Sequence, residues 1–440
     1  MVAVAAAVDS NSLIPSDIAR TVVAGKSYAD ENVIYPALKW LRANNPVGLA
    51  QVDGYDPIWV ISKYADVMSI SRDSKTFING NNNLILNTQA SDAFTRSVNK
   101  GKVRSMNSLA YMDQPEHSRY RGVTANFFMP GRVRKLQDRM REIARDSVAD
   151  FLARGGECDF VKDFILYYPL RVIMDMLGVP QADEPAMLKL TQKLFGGDDP
   201  DEKREEIPEG PDAAARAWRA TLEDFYAYFR ELSRDRRSTP REDLISVIAN
   251  TRIENEYIDE DRELDYYIAI ATAGHDTTSA ASAGGMLGLI RFPEQFALLQ
   301  SDHALIPNFI DESIRWSTPI KHFMRTASQD TEVRGRTIKE GDRLLLSYPS
   351  ANRDEEVWME PEAFRVQRSP NQHMAFGNGP HMCIGQHLAK LDMRILFEEL
   401  LPHIESIELA GTPKWLESSF ISGLKTMPVR YRVRGRGLAS

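Results

Sequence analysis

The stretch FGNGPHMCIG, residues 376–385, places one of the two cysteines of the sequence among three glycines. Apolar residues behind it recur at the spacing of a helix with one buried face: Ile384, Leu388, Leu391 and Ile395. Cys383 is therefore predicted to lie where a loop enters a helix N-terminus, whose free amides and dipole lower the pKa of a thiol. A thiolate held there, with glycines that let the backbone approach closely, is a good ligand for a soft metal centre.

The residues alone leave two other interpretations of Cys383 open. An isolated cysteine is most often a buried free thiol with a structural role. His381, Cys383 and His387 also have side chains that bind zinc, although no fourth ligand is evident and such a site would not explain the glycines.

A second polar motif, TAGHDTTSA at residues 272–280, lies within an apolar pattern that predicts a helix over residues 266–290. Its small residues leave a flat surface for a planar group: Ala271, Ala273 and Gly274. Asp276 and Thr277 place an acid and a hydroxyl in an apolar stripe, and threonines can hydrogen-bond back to the helix backbone. An ordinary buried helix with a satisfied polar patch is the alternative.

Charged residues form two further groups. One combines a Glu-x-x-Arg pattern with a downstream Pro-x-x-Phe-x-x-x-Arg pattern, at Glu312, Arg315, Pro361, Phe364 and Arg368. The other contains side chains that bind carboxylates well, namely His117 and Arg121 on a helix expected to begin near Pro115, Arg325 and His381. Taken singly, each of these charges could equally lie on the surface.

The cysteine loop resembles, position by position, the haem-ligand loop of the cytochrome P450 family, Phe-Gly-x-Gly-x-His-x-Cys-x-Gly. The resemblance implies that Cys383 is the axial thiolate ligand of the iron of haem b, which pushes electron density that favours O–O cleavage. The residues expected to lie against this cofactor are Phe376, Gly377, Gly385 and, on the long helix, Ala273. Gln386 departs from the pattern, since many bacterial members carry a small residue there.

The other motifs are similar to signatures of the same family. By that resemblance Asp276 gates proton delivery and Thr277 hydrogen-bonds dioxygen, so both are expected to be catalytic. The residues expected to form a buried structural triad are Glu312, Arg315 and Arg368. The haem propionates are expected to bind four basic residues, His117, Arg121, Arg325 and His381.

Around these motifs the chain is predicted to be mainly α with a small β component. Hairpins are predicted over residues 48–62, turning at Asp53-Gly54, and over residues 332–350, turning at residues 340–342. The length of 440 residues suggests two or three domains. The resemblance instead implies one cytochrome P450 domain over residues 1–440, with the haem buried between the long central helix and the Cys-loop helix. Its helix-rich parts are expected at residues 113–330 and 384–402, and its sheet-rich parts at residues 45–112, 320–350 and 405–435.

Substrate is expected on the long-helix side of the cofactor. The predicted lining residues are Leu84, Leu86, Ile270, Ala273, Thr277, Phe323, Phe420 and Ile421, with ordinary core packing as the alternative for each. All but Thr277 are apolar, so a compact terpenoid or aromatic hydrocarbon would fit. The acidic run at residues 196–212, which contains Gly and Pro, is expected to be a solvated loop within a mobile lid.

The amino-acid composition limits the classes of molecule that this protein is expected to bind. The formal net charge is −8 and no run of basic residues occurs, so nucleic acid is not expected. Two cysteines do not make a disulfide framework, which favours a cytoplasmic protein. The apolar start MVAVAAAV lacks the basic region of a targeting segment, and polar residues within 266–290 argue against a membrane span.

The sequence contains no flavin or nicotinamide fingerprint, so electrons must come from outside. The resemblance implies an iron–sulfur ferredoxin with a separate reductase, and Arg121, Lys390 and Arg394 are candidates to face such an acidic partner. Segments 187–192, 270–279 and 347–357 look like those of bacterial members that hydroxylate terpineol.

The resemblance thus implies a haem-thiolate monooxygenase that hydroxylates a small hydrophobic substrate with O2 and two external electrons. Two alternatives remain within the family, a peroxide-driven enzyme and a haem-based ligand sensor. Outside the family, a zinc hydrolase or a binding module remains.

Overall fold

A computed structural model describes residues 10–195, 199–201, 204–421 and 423–435. The α-helices of the described part are α1 Ser16–Val23, α2 Glu31–Asn44, α3 Tyr64–Arg72, α4 Gln89–Val98, α5 Glu116–Ala125, α6 Pro130–Val133, α7 Gln137–Leu152, α8 Tyr167–Leu177, α9 Glu184–Phe195, α10 Ala213–Ser238, α11 Leu244–Asn250, α12 Glu260–Arg291, α13 Pro293–Ser301, α14 Ile306–Ser317, α15 Tyr348–Ala351 and α16 Gln386–Leu400. Its strands are β1 Val47–Ala50, β2 Ile58–Ile61, β3 Phe77–Ile78, β4 Glu157–Asp159, β5 Arg252–Ile253, β6 Glu256–Tyr257, β7 His322–Ala327, β8 Thr331–Val333, β9 Arg336–Ile338, β10 Arg343–Ser347, β11 Ile404–Leu409, β12 Lys414–Trp415, β13 Leu424–Thr426 and β14 Pro428–Val433. The prediction of a mainly helical chain with a small β component is confirmed.

The largest sheet has the strand order β1-β2-β10-β7-β3. β1 and β2 form the hairpin predicted over residues 48–62, with Val47 opposite Ile61. β10 pairs in parallel with β2 and antiparallel with β7, which brings the strand that carries Arg325 into the middle of the sheet.

The prediction of a hairpin over residues 332–350 is wrong both in where the chain turns and in which strands pair. β8 and β9 pair with each other around Arg334 and Gly335, whose φ angles are 49° and 74°. Residues 340–342 instead lead into β10, which is buried along its whole length. A buried strand needs hydrogen-bond partners on both edges, and β2 and β7 supply them.

Helix α12 has 32 residues and extends the helix predicted over residues 266–290 at both ends. Asp259 caps its start by accepting a hydrogen bond from the Arg262 amide at 3.2 Å. Glycines let α14 pack closely on it, since a Cβ atom on Gly285 would lie 2.3 Å from the Ser313 hydroxyl oxygen. No helix within the described ranges is long and apolar enough to cross a membrane.

Candidate active site

The cysteine loop ends at the N-terminus of α16, as the apolar spacing predicts. Gly385 immediately precedes this helix, and the Cys383 amide donates to the Phe376 carbonyl at 2.9 Å. Gly379 has a φ of 71°, and a Cβ atom there would lie 2.4 Å from the Ser71 carbonyl oxygen. A side chain at position 379 would therefore displace the loop from α3.

Cys383 is exposed, although enough protein lies around its sulfur for desolvation to affect its pKa. Burial raises the pKa of the thiol and outweighs the Gly385 and Gln386 amides and the Arg121 charge, which lower it. The predicted effect of the helix N-terminus is present, since both amides lower the pKa, but desolvation is the larger effect for the sulfur on its own. A metal cation facing the sulfur would favour the thiolate.

Basic groups from α5 and β7 surround His381 in this loop. The rings of His117 and His381 lie with their centroids 4.1 Å apart, and Arg121 donates to the Met382 carbonyl at 2.8 Å. Arg325 is buried and donates to the carbonyl of the residue before it at 2.8 Å. Burial, together with His117, Arg325 and Arg121, lowers the pKa of His381 to about 2. The structure thus brings all four predicted propionate ligands together.

No carboxylate of the described part forms an ion pair with this basic cluster, although the charge of Asp113 acts on His117 and Arg325. Arg121 and Arg325 donate to backbone carbonyls, Arg325 also interacts with the Tyr348 side chain, and the Nε2 atom of His117 is buried without a hydrogen-bond partner. Buried cations and donors are stable when paired with an acceptor. Two carboxylates beside an exposed sulfur would satisfy this arrangement, and haem b has two propionates and an iron.

Tyr348 is a member of this cluster that sequence analysis missed. It is buried on α15, where its side chain interacts with the Arg325 guanidinium, and a Cβ atom on Gly377 would lie 3.8 Å from its hydroxyl. The local sequence of Tyr348 does not distinguish it from a core aromatic residue, because its partners are distant in the chain.

Glu312, Arg315 and Arg368 form a buried ion cluster beneath the loop. Arg315 donates to both carboxylate oxygens of Glu312 at 2.8 and 2.9 Å, and the Arg368 Nε atom lies 3.0 and 3.1 Å from them. Although burial raises the pKa of Glu312, hydrogen bonds and charges from both arginines hold it below its ordinary value. Arg315 also donates to the carbonyls of Asn352 and Pro361, so the cluster ties α14 to the chain that leads into the cysteine loop.

Asp276 and Thr277 lie midway along α12. The Thr277 hydroxyl donates to the Ala273 carbonyl at 2.7 Å, as the sequence suggested for a threonine in this position. The Oδ2 atom of Asp276 is buried without a hydrogen-bond partner in the described part. Burial raises the pKa of this carboxyl more than the neighbouring His275 lowers it, so Asp276 is suited to hold a proton in a dry site.

His275, to which the sequence assigned no role, anchors the same motif. Its Nε2 atom donates to the Leu166 carbonyl at 2.8 Å, and its Nδ1 atom lies 3.1 Å from the Thr191 hydroxyl and 3.5 Å from Oδ1 of Asp276. Because a carbonyl only accepts, Nε2 carries the proton in the neutral ring.

The flat surface predicted for α12 is smaller than expected. Ala273 is exposed, whereas Ala271 and Thr272 before it are buried, so α12 is accessible at this residue. Ala271 is buried, and a Cβ atom on Gly274 would lie 2.3 Å from the Ile173 side chain on α8. The assignment of Ala271 and Gly274 to this surface is therefore wrong, because they face the core and α8.

The predicted pocket residues are partly or fully buried, apart from Ala273. Leu84, Leu86 and Ile421 are buried, whereas Ile270, Thr277, Phe323 and Phe420 are half-buried. A cavity lies beside Leu86 and Phe420, and other residues that line it are Asn83, Leu194, Trp218 and Ser419. Asn83 and Ser419 make this cavity more polar than the predicted residues suggested, and sequence analysis missed both.

The acidic run at residues 196–212 is not simply a solvated loop. Residues 196–198 and 202–203 lie outside the described residues. Asp199 is fully buried and accepts hydrogen bonds from Lys425 Nζ at 2.7 Å and from the Glu417 amide at 2.9 Å. The prediction was wrong at this residue because a lysine of the C-terminal region compensates the buried charge.

Two candidate partner-facing cations are already neutralised. Lys390 pairs with Asp311 and Arg394 pairs with Glu398, each at 2.6 Å. The zinc alternative gains no support either, because no group of three His, Cys, Asp or Glu residues suited to a metal ion occurs in the described ranges.

A model of the cytochrome P450 family matches residues 84–433. The chain therefore belongs to the cytochrome P450 family, and the predicted fold, haem b cofactor and monooxygenase class are confirmed. It is similar to cytochrome P450-terp of a Pseudomonas species, with 51% identity over 424 residues that cover 96% of this chain and 99% of that protein. It is also 30% identical to a steroid C26-monooxygenase of Mycolicibacterium smegmatis over 92% of this chain and 90% of that protein.

Solved structures agree with this assignment. The crystal structure of CYP108D1 from Novosphingobium aromaticivorans has a TM-score of 0.88 and 38% identity, covering 96% of this chain and 99% of that one. Mycobacterium marinum cytochrome P450 CYP268A2, solved in complex with pseudoionone, has a TM-score of 0.86 and 27% identity, covering 97% of this chain and 100% of that one.

Proposed function

We propose that this monooxygenase uses dioxygen and two externally supplied electrons to hydroxylate a small terpenoid. The observation that carries the use of dioxygen is the pair Asp276 and Thr277 on α12, one residue with an unpartnered buried carboxyl oxygen and the other with a hydroxyl held on the helix backbone. A peroxide-driven enzyme or a ligand sensor would have less use for a proton-holding carboxyl in this place.

Haem b supplies the oxygen-activating iron when it is bound. Cys383 would bind the iron through its sulfur, with Phe376, Gly377 and Gly385 around the sulfur, and Ala273 would lie against the cofactor. His117, Arg121, Arg325 and His381 would hold the propionates, an assignment that the lack of a direct ion pair between these residues and a carboxylate of the described part supports.

Asp276 and Thr277 handle protons in this proposal. Asp276 is the proposed proton carrier, since burial raises the pKa of its carboxyl above the ordinary value. The Thr277 hydroxyl can turn from the Ala273 carbonyl toward the cavity without moving the backbone, because only its own χ1 rotation is needed. The surrounding apolar residues exclude water, so a proton reaches the cavity through these groups rather than from bulk solvent.

The substrate class rests on the pocket and on the similarity to cytochrome P450-terp. We propose that Leu84, Leu86, Ile270, Ala273, Phe323, Phe420 and Ile421 contact the hydrocarbon, with Thr277 beside the reacting carbon. Asn83 and Ser419 at the cavity would suit one hydroxyl group, so a monoterpene alcohol fits better than a plain hydrocarbon. The described residues 204–212, with α9 and α10, are proposed to form the lid.

We propose an iron–sulfur ferredoxin with a separate reductase as electron donor, in the cytoplasm, with neither nucleic acid nor membrane as partner. The absence of a nicotinamide or flavin fingerprint and the pair of free cysteines, Cys158 and Cys383, support this. Of the cations suggested for this contact, Arg121 is the one without an acidic partner among the described residues.

Replacement of Thr277 by alanine tests the proposal. With a reductant system, dioxygen and α-terpineol, we expect most electrons to appear as peroxide and little hydroxylated product to form, whereas Thr277→Ser keeps the hydroxyl and most of the product. Thr272→Ala is the matched control, because Thr272 makes the same bond to its helix at 2.8 Å but is buried. Each variant must first show the carbon monoxide band typical of a sulfur-ligated ferrous haem.

Undiminished product from Thr277→Ala would argue against dioxygen chemistry at this site. Product formed with peroxide alone, and equally in all three variants, would favour the peroxide-driven alternative. Absence of any spin-state change with α-terpineol would remove the substrate assignment and leave the enzyme class unchanged.

A further inference from the structure

Strand β7 holds together the two segments that border the cavity. These segments are residues 83–86 and residues 418–421. The Met324 amide donates to the Leu84 carbonyl at 2.8 Å, and the Lys321 amide donates to the Phe420 carbonyl at 2.7 Å. Backbone hydrogen bonds therefore anchor one end of each segment to the strand.

His322, the first residue of β7, joins the same two segments through its side chain. Its Nε2 atom accepts a hydrogen bond from the Leu86 amide at 3.0 Å, and its Nδ1 atom donates to the Ser419 carbonyl at 2.8 Å. Its ring meets the Phe420 ring at 65°, with centroids 5.7 Å apart. The imidazole is fully buried, so water does not replace either bond.

Both bonds require the neutral ring with its proton on Nδ1, because the Leu86 amide only donates and the Ser419 carbonyl only accepts. Burial lowers the pKa of His322 to about 4, which keeps the ring neutral at neutral pH. An apolar side chain of similar size would fill the volume but leave a buried amide and a buried carbonyl unpaired.

We propose that His322 is a positioning residue that sets the spacing of the two cavity segments and thereby how tightly the substrate binds. It acts through Leu86 and Phe420, which line the cavity. The proposal rests on the proposed function, since it takes this cavity as the place where the terpenoid binds. Phe323, the next residue of β7, packs on Phe420 with ring centroids 5.5 Å apart, so displacement of the second segment would also move this predicted contact.

The test compares His322→Phe and His322→Gln with the wild type in the full-length, haem-loaded protein. His403→Phe is the matched control, because His403 is an exposed histidine outside the cavity. Hydrogen–deuterium exchange of peptides that cover both segments is measured without substrate, and the affinity for α-terpineol is measured from the spin-state change. The carbon monoxide spectrum reports whether the haem site is intact.

We expect His322→Phe to speed exchange in both segments and to weaken α-terpineol binding about tenfold, with an unchanged carbon monoxide spectrum. His322→Gln keeps one donor and one acceptor, so its exchange rates and its affinity should lie between those of His322→Phe and the wild type. If His322→Phe does not load haem, His322→Gln is compared with the wild type by itself. If both His322 variants exchange in the two segments at the same rate as His403→Phe, the proposal is overturned, whatever their affinity for α-terpineol. Faster exchange in a protein whose wild type binds no terpenoid would support the positioning role and refute the proposed substrate.

Discussion

Replacement of Glu312 by glutamine tests how much the buried ion cluster stabilises the protein. Glu312 and Arg315 are both completely buried, and Arg368 is the second cation on the same carboxylate. Glutamine keeps the shape of the side chain but removes its charge and turns an NH2 group toward an arginine. Loss of one partner of a buried ion pair costs about 3–5 kcal/mol, because the remaining charge is left uncompensated.

Glu362→Gln is the matched control. Glu362 pairs with Arg353 at 3.1 Å, but its side chain is 57% exposed, so the expected loss is below about 1 kcal/mol. The assay is urea unfolding of haem-loaded protein, followed by far-UV circular dichroism and by the haem absorbance. Since folded proteins are stable by only about 5–15 kcal/mol, Glu312→Gln should unfold at a much lower urea concentration.

The pH dependence gives a second measurement on Glu312. Its folded-state pKa is held below the ordinary value of 4.5 by both arginines, although burial acts in the opposite direction. A depressed pKa contributes stability that is present above the unfolded-state pKa and is lost as pH falls through the folded-state pKa. The wild type should therefore lose this contribution below about pH 4.5, and the variant should not. Equal urea midpoints for Glu312→Gln and Glu362→Gln at pH 7 would refute this reasoning.

Two further predictions concern other residues of the core. Gly274→Ala places a methyl group 2.3 Å from the Ile173 side chain and should destabilise the protein by about 1–3 kcal/mol, part of which Ile173→Val restores. A urea double-mutant cycle measures the coupling, and additive effects would contradict the close contact. Burial raises the pKa of Asp392 to about 7 in the folded protein. The contribution of the protonated carboxyl to folding stability is therefore fully present below the unfolded-state pKa of 3.8, and it is lost as pH rises toward 7. Asp392→Asn should therefore gain stability over the wild type between pH 4.5 and 7.5, and a gap between their urea midpoints that stays constant with pH would show otherwise.

Much of the active site could be predicted because its signals are local. Cys383, the glycines around it and the apolar period behind them lie within one short segment, and the start of α16 follows from that spacing. Asp276 and Thr277 lie in one helical turn, so their common position on α12 needed no knowledge of other elements. The hairpin over residues 48–62 was predictable for the same reason, since its turn and both strands are contiguous.

Tertiary contacts decided the features of the site that the local sequence pattern does not determine. Ala273 is accessible and Gly274 faces α8 because helix packing sets the rotation of α12 about its axis. The roles of His322 and Tyr348 depend on partners far along the chain, which no spacing rule identifies. The pKa of the Cys383 thiol is likewise set by how much protein surrounds it, and desolvation outweighs the helix N-terminus that the sequence shows. The sequence by itself thus identified the candidate groups for the chemistry. The fold decided their orientation and their electrostatic environment, because both arise from neighbours that only folding brings near.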